Sequence, residues 1–197
     1  MTQNHNCMTG ALQLKTKVAF DVYTPLRKVY ALPSNTILNK RTVVSIYANG
    51  YSRVPFYEER PTEGDLPDRS GVIGILMTRQ LIVVDWDHER DIETLTIFKA
   101  PCVSPRIDLL SLTNLFQTGG SHIALVCAQP NIANKALDND LAIPVEAGFM
   151  GIVTLEGKCT PSIIIELERI LFFKLIFELT FISFQSVSRC VGRIATR

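Results

Sequence analysis

The chain has 197 residues, 47% of them hydrophobic, with 20 basic side chains against 19 acidic ones. This length can support one sizeable core or two small ones. The balanced charge, with no basic run, excludes a face built for nucleic acid and a polybasic patch for an anionic membrane. The five cysteines, Cys7, Cys102, Cys127, Cys159 and Cys190, form no C-x-x-C pair and are odd in number. That argues against a disulfide framework or a zinc site, and for reduced thiols in a cytosolic domain.

The first residues, MTQNHNCMTGALQL, are polar and lack the apolar stretch of a signal peptide. No run before residue 160 reaches the roughly 20 apolar residues that a membrane span requires. Met8 to Lys17 reads as a linker or helix. Thr24-Pro25 is a break, because proline disfavours helix at the residue before it. Lys28 to Leu32 reads as a short strand, and Pro33 to Thr36 as a turn. Ile37, Leu38, Val43, Val44, Ile46 and Tyr47 then follow a helical spacing, closed by Asn49-Gly50. Ser52 to Tyr57 is a strand, Glu58 to Ser70 a polar loop, Val72 to Leu76 a strand buried on both faces, and Thr78 to Val84 the possible start of a helix.

The order then recurs. Ile97 to Val103 is extended, and Leu109, Leu110, Leu112, Leu115 and Phe116 mark a helix ended by Gly119-Gly120. Ser121 to Ala128 is a strand, Gln129 to Ala147 a long loop, and Phe149 to Leu155 the last strand. Two copies of strand, helix, strand, strand at a period of roughly 70 residues point to duplicated α/β units. Periodicity alone names no ligand.

Residue motifs sharpen this reading. Met8 to Leu26, MTGALQLKTKVAFDVYTPL, resembles the G-A-L-x-L, K-T and D-V-M-T-P run that opens the first CBS domain of cyclin M proteins and their bacterial CorC-like relatives. GYSRVPFYE (Gly50 to Glu58) and GILMTRQL (Gly74 to Leu81) resemble the next two motifs of that family. LFQTGGSHIALV (Leu115 to Val126) and GIVTLE (Gly151 to Glu156) resemble their counterparts in its second CBS domain. Each motif is weak alone, but five in order over two repeats are specific.

The resemblance implies an α/β (α+β) fold: a tandem CBS-domain pair, or Bateman module, in which each repeat is a small sheet with two helices. It places a linker at 1–17, CBS domain 1 at 18–90, CBS domain 2 at 91–156 and a tail of different character at 157–197. The implied role is regulatory rather than enzymatic. The module would sense ATP with Mg2+ for a magnesium transport protein and face the cytosol beneath its membrane domain. A homodimer is implied as well, and no nucleic-acid partner.

The site residues are carried by the same resemblance. Thr24 of the T-P motif would donate to a phosphate or sugar oxygen. Ser52 and Arg53 match the S/T-R pair, with a guanidinium suited to phosphate. Pro55 would fix the backbone beside adenine, and Thr154 would face ribose or phosphate. From the residues alone, Thr24 also reads as a turn brace, Arg53 as a solvated arginine and Thr154 as an ordinary strand-end threonine. His122, in an apolar strand, reads as structural. His5 and His88 have no companions, the acidic run Asp85, Asp87, Glu89 reads as a solvated linker, and no cluster has metal-ligand spacing.

Two positions depart from the family. Its T-x-x-D aspartate, an acceptor for ribose hydroxyls, is replaced by Gly157 in the second repeat and Gln80 in the first. Losing a charged acceptor costs about 1.5–3 kcal/mol, roughly tenfold or more in affinity. An interaction module that no longer binds nucleotide is therefore the competing expectation. Tyr23 replaces a methionine beside the site. In the tail, Ile163 to Phe184 is very apolar but carries Glu166, Glu168, Arg169, Lys174 and Glu178. A packed helix fits that pattern better than a membrane span.

Overall fold

The computed structural model describes residues 17–61, 68–83 and 90–155. The expectations for Met8 to Thr16, for the acidic run at 85–89, for His5, His88 and Gly157, and for the tail lie outside these residues.

The elements run in chain order as α1 (Ala19–Val22), β1 (Thr24–Pro25), β2 (Leu32–Pro33), β3 (Ile37–Leu38), α2 (Lys40–Ala48), β4 (Arg53–Tyr57) and β5 (Val72–Met77). They continue with β6 (Arg90–Asp91), β7 (Cys102–Val103), α3 (Leu109–Gly119), β8 (Ile123–Cys127), α4 (Pro130–Asp138) and β9 (Phe149–Thr154). Short 3₁₀ turns lie at Leu26–Lys28, Thr78–Val83, Ile92–Thr94 and Val145–Ala147.

The duplication is visible rung by rung. In the first hairpin, Arg53, Val54, Pro55 and Phe56 face Met77, Leu76, Ile75 and Gly74, and after a bulge Tyr57 faces Val72. In the second, Ile123, Ala124, Leu125 and Val126 face Thr154, Val153, Ile152 and Gly151, and after the same bulge Cys127 faces Phe149. Each hairpin receives a parallel strand on its outer side. β2 pairs with β4, and β7 with β8.

The leading segments are exchanged between the repeats. β1 pairs antiparallel with β9, Thr24 opposite Ile152 and Pro25 opposite Gly151, which gives the sheet order β1-β9-β8-β7. The counterpart ahead of the second repeat is Phe98, which bridges Ile75 through hydrogen bonds of 2.9 and 3.2 Å. The two glycines make these approaches possible. A Cβ at Gly151 would collide with the Thr24 carbonyl oxygen, and one at Gly74 with the Ile97 side chain.

Side-chain alternation divides the core accordingly. One cluster joins both hairpins: Tyr57, Val72 and Ile75 of the first repeat pack with Ile123, Leu125, Cys127 and Phe149 of the second. The opposite face of the first hairpin, Val54, Phe56 and Leu76, packs on Val43 and Ile46 of α2 together with Leu81. Burying a side chain of this kind is worth about 1.5–3 kcal/mol.

Helix boundaries follow their caps. The Asn39 side chain accepts from the Thr42 amide at 2.9 Å. The helix therefore begins at Lys40, and Ile37–Leu38, expected on the helix, instead pairs with β6. Asp108 accepts from the Ser111 amide at 2.8 Å to start α3, and Gly120 ends it in the left-handed region at φ 61°. The expected strand over Lys28 to Leu32 shrinks to Leu32–Pro33, because the Val29 amide is used to close the 3₁₀ turn on Leu26. Thr78–Val83 forms a 3₁₀ rather than an α-helix. The long loop at 129–147 contains α4: Pro130 opens it, and Ala133 and Leu137, four residues apart, are buried on one face.

Candidate nucleotide site

Thr24 and Thr154 are brought together on the four-stranded sheet. Thr24 lies opposite Ile152, and Thr154 is two residues further along the same strand, so the three share one face. Both threonines are half-buried. Leu155 continues the ladder by donating its amide to the His122 carbonyl at 3.1 Å. His122 itself is exposed, one residue ahead of β8, not inside the apolar strand where the sequence placed it.

Ser52, Arg53 and Pro55 form a second group, at the start of the first hairpin. Ser52 is exposed, and its carbonyl oxygen accepts from the Thr78 amide at 3.1 Å and the Thr78 hydroxyl at 3.2 Å. Pro55 is buried opposite Ile75. Arg53 is half-buried beside Met77, and its Nε is buried with no hydrogen-bond partner among the described residues. A guanidinium N–H left this way is unusual and costly, because buried donors are nearly always satisfied. The two groups occupy different sheets that share one apolar core.

The rung that carries Arg53 and Met77 in the first repeat carries Ile123 and Thr154 in the second. Equivalent rungs thus bear a cation on the first strand in one repeat, where the other has Ile123, and a hydroxyl on the second strand in the other, where the first has Met77. Three residues past Met77, the Gln80 amide donates to the Thr96 carbonyl at 3.1 Å, while its Oε1 is buried without a partner. Sequence reading gave Gln80 only as a lost carboxylate. The structure adds that it holds a buried, unused acceptor. No signal in the sequence marks this, because it depends on the 3₁₀ turn that carries the side chain inward.

The orphaned Arg53 Nε is a donor suited to phosphate, and the Thr24 and Thr154 hydroxyls on the other sheet are further donors. Among the described residues, no group of His, Cys, Asp or Glu could hold a metal ion, and no helix is long and apolar enough to cross a membrane.

The fold matches the CBS domain of a bacterial CNNM/CorC family Mg2+ transporter with a TM-score of 0.60 at 19% identity, over 84% of this chain and 83% of that one. The chain is a CBS-domain pair. A CBS domain of the bacterial CNNM/CorC family in complex with ATP matches this pair with a TM-score of 0.58 at 20% identity, over 84% of the chain and 96% of that one. Among curated proteins, a DUF21 domain-containing protein of Arabidopsis thaliana is 36% identical to the CBS pair over 125 residues, 64% of the chain. Protein MAM3 of Saccharomyces cerevisiae is 30% identical over 131 residues, 66% of the chain. The matched segments span 22% and 17% of those two relatives. No protein-family model matches the chain. The resemblance to the CBS pairs of the cyclin M and CorC-like proteins, read from the motifs, is borne out.

Proposed function

We propose that this CBS pair is the regulatory, adenine-nucleotide-sensing module of a membrane protein that handles divalent cations, with ATP and Mg2+ as its ligand. The observation that carries the reading is the buried, unpartnered Nε of Arg53. A ligand phosphate would complete it, and Ser52 stands next to it on the exposed rim. Thr24 and Thr154 supply hydroxyls to ribose or phosphate, and Pro55 holds the backbone rigid beneath the base. The solved CBS domain with ATP supports this choice of ligand. The reading is of a sensor: a ligand that binds one arrangement of the repeats better than another shifts the population between them. A homodimer and a cytosolic position beneath the membrane part belong to the same proposal.

One observation favours a second reading. Gln80 stands where the family has a carboxylate, and its amide is committed to the Thr96 carbonyl. A pair whose charged acceptor is replaced by a neutral amide would serve as an interaction module only.

Calorimetric titration of the full chain with ATP, with and without Mg2+, decides between them. Saturable binding that weakens on the order of tenfold or more in Arg53→Ala supports the sensor. No binding by a chain whose fold is intact by circular dichroism overturns it in favour of the interaction module.

A further inference from the structure

Residues 17–25 lead into the first repeat in sequence, yet their hydrogen bonds to Ile107, Pro105, Leu109 and β9 go to the second. The Lys17 carbonyl accepts from the Leu109 amide at 3.1 Å, and Val18 bridges Asp108. The Ala19 and Phe20 amides donate to the carbonyls of Ile107 and Pro105, both at 2.9 Å. Five residues on, Thr24 and Pro25 form the edge strand on β9. Only after Pro25 does the chain turn, through Leu26–Lys28, into the first repeat. The segment is thus laid across the second repeat, from the N-terminal cap of α3 to the last strand.

It is held there mainly by main-chain bonds, with little buried apolar surface of its own. Ala19 is its fully buried side chain, Phe20 is 51% exposed, and the Phe20–Tyr23 ring pair stacks at a centroid separation of 5.2 Å. Segments of this kind, with few buried apolar contacts, open at low free energy. Thr24 is at once the last part of this segment and the partner of Thr154 on one sheet face. A ligand that uses both hydroxyls has that pair available only while β1 is docked on β9.

We infer that residues 17–25 form a strap whose docking on the second repeat is controlled by occupancy of the Thr24–Thr154 face, so that nucleotide tightens the chain where it runs into the pair. This rests on the nucleotide reading above. The coupling is reciprocal: the factor by which nucleotide favours the docked strap is the factor by which docking favours nucleotide. A pull on the strap from the preceding residues would therefore be sensed as a change in nucleotide affinity.

Hydrogen exchange of the full chain, read by mass spectrometry with ATP and Mg2+ present or absent, tests this beside calorimetry on the same samples. The reporters are the Ala19 and Phe20 amides, bonded to the loop before α3 and not to the site. If the strap opens only when the site is empty, their exchange slows by up to about a hundredfold at an ATP concentration of about 100 Kd. A second arm uses Asp21→Ala, which removes the carboxylate that accepts from the Val18 amide at 2.9 Å and leaves the threonines intact. Faster exchange at Ala19 and Phe20 in the free chain that ATP again slows, with an ATP affinity no higher than the parent's, supports the strap. Saturable ATP binding with unchanged exchange at these amides overturns the strap and leaves the nucleotide reading standing. Absence of ATP binding by the folded chain overturns both.

Discussion

Gly151 lies against the main-chain carbonyl of Thr24, with no room between them for a Cβ. Gly74 holds the equivalent rung of the other hairpin and lies against the Ile97 side chain. The exchange of leading segments between the repeats therefore depends on two glycines, one in each last strand, chosen for close approach.

Gly151→Ala should destabilise the chain by about 1–3 kcal/mol, the usual range for overpacking a site whose neighbour is backbone and cannot step aside. Gly119→Ala is the control. Nothing lies within 4 Å of a Cβ there, and the residue sits at the end of α3. It should be neutral or stabilising by up to about 1 kcal/mol. Urea denaturation of both variants checks the pair, and equal destabilisation would refute the close-approach argument.

Asp108 caps α3, and the Ser111 hydroxyl, followed by the Ser111 amide, holds its carboxyl below the usual carboxylate range. A group whose folded pKa is depressed stabilises fully above its unfolded value of about 3.9, and that contribution is lost as pH falls through the folded pKa. Acid melts should therefore show a loss below about pH 4 that Asp108→Ala lacks, with Asp108→Ala costing about 1 kcal/mol near neutral pH. Asp108→Asn keeps the acceptor and should retain most of the stability while flattening the acid limb.

Much of the architecture was legible in the sequence because its signals are local. Gly50 and Gly120, both at positive φ, end the two helices where the sequence placed the stops, and the apolar runs at Ser52 to Tyr57 and Val72 to Leu76 become the paired strands. What was not legible depends on distant partners. Thr24-Pro25 reads as a break because proline disfavours helix at the residue before it, yet β9 makes the pair an edge strand. The helix at Pro130–Asp138 shows only Ala133 and Leu137 as buried apolar positions among polar neighbours, too thin a stripe to stand out in a loop-like composition. In the candidate site, motif order singled out Thr24, Arg53 and Thr154. The unpartnered atoms of Arg53 and Gln80 came from burial, which no spacing encodes.

That helix has a task at the sheet edge. The Asn134 side chain accepts from the Cys102 amide at 2.9 Å and donates to the Cys102 carbonyl at 3.1 Å, completing the open side of β7 as a further strand would. The first repeat has Pro33 on its corresponding outer strand, which removes a donor instead. Asn134→Leu should cost about 1–3 kcal/mol by stranding both Cys102 groups. Asn139→Ala, an exposed position bonded only to the Lys135 carbonyl through its side chain, should stay within about 0.5 kcal/mol. Thermal melts of the two variants side by side are sufficient.

Cys102 and Cys127 should be inert in the folded protein. Both are buried and free, and the neighbouring Cys127 side chain, reinforced by burial, pushes the Cys102 thiol far above the ordinary range for a cysteine. Thiolate is the reactive form, so a maleimide should label both residues only after unfolding. Rapid native labelling of either, located by mass spectrometry, would contradict the packing described for the shared core.

Arg53 offers a way to separate binding from folding. Its Nε is buried without a partner, so the side chain stabilises the fold through its stem and not through that donor. Arg53→Met keeps much of the stem, removes the charge and relieves the orphan. Its stability in urea should match or exceed that of the parent chain by up to about 1 kcal/mol. On the proposed sensor reading, ATP affinity should fall by about 1.5–3 kcal/mol, on the order of tenfold to a hundredfold, because a charge-assisted bond to phosphate would be lost. Gln80→Met removes the other orphan and should be similarly tolerated by the fold, since the exposed Thr96 carbonyl regains water. If Arg53→Met instead unfolds the chain while ATP titration of the parent shows no binding, the arginine is a structural residue and the nucleotide site is lost with it.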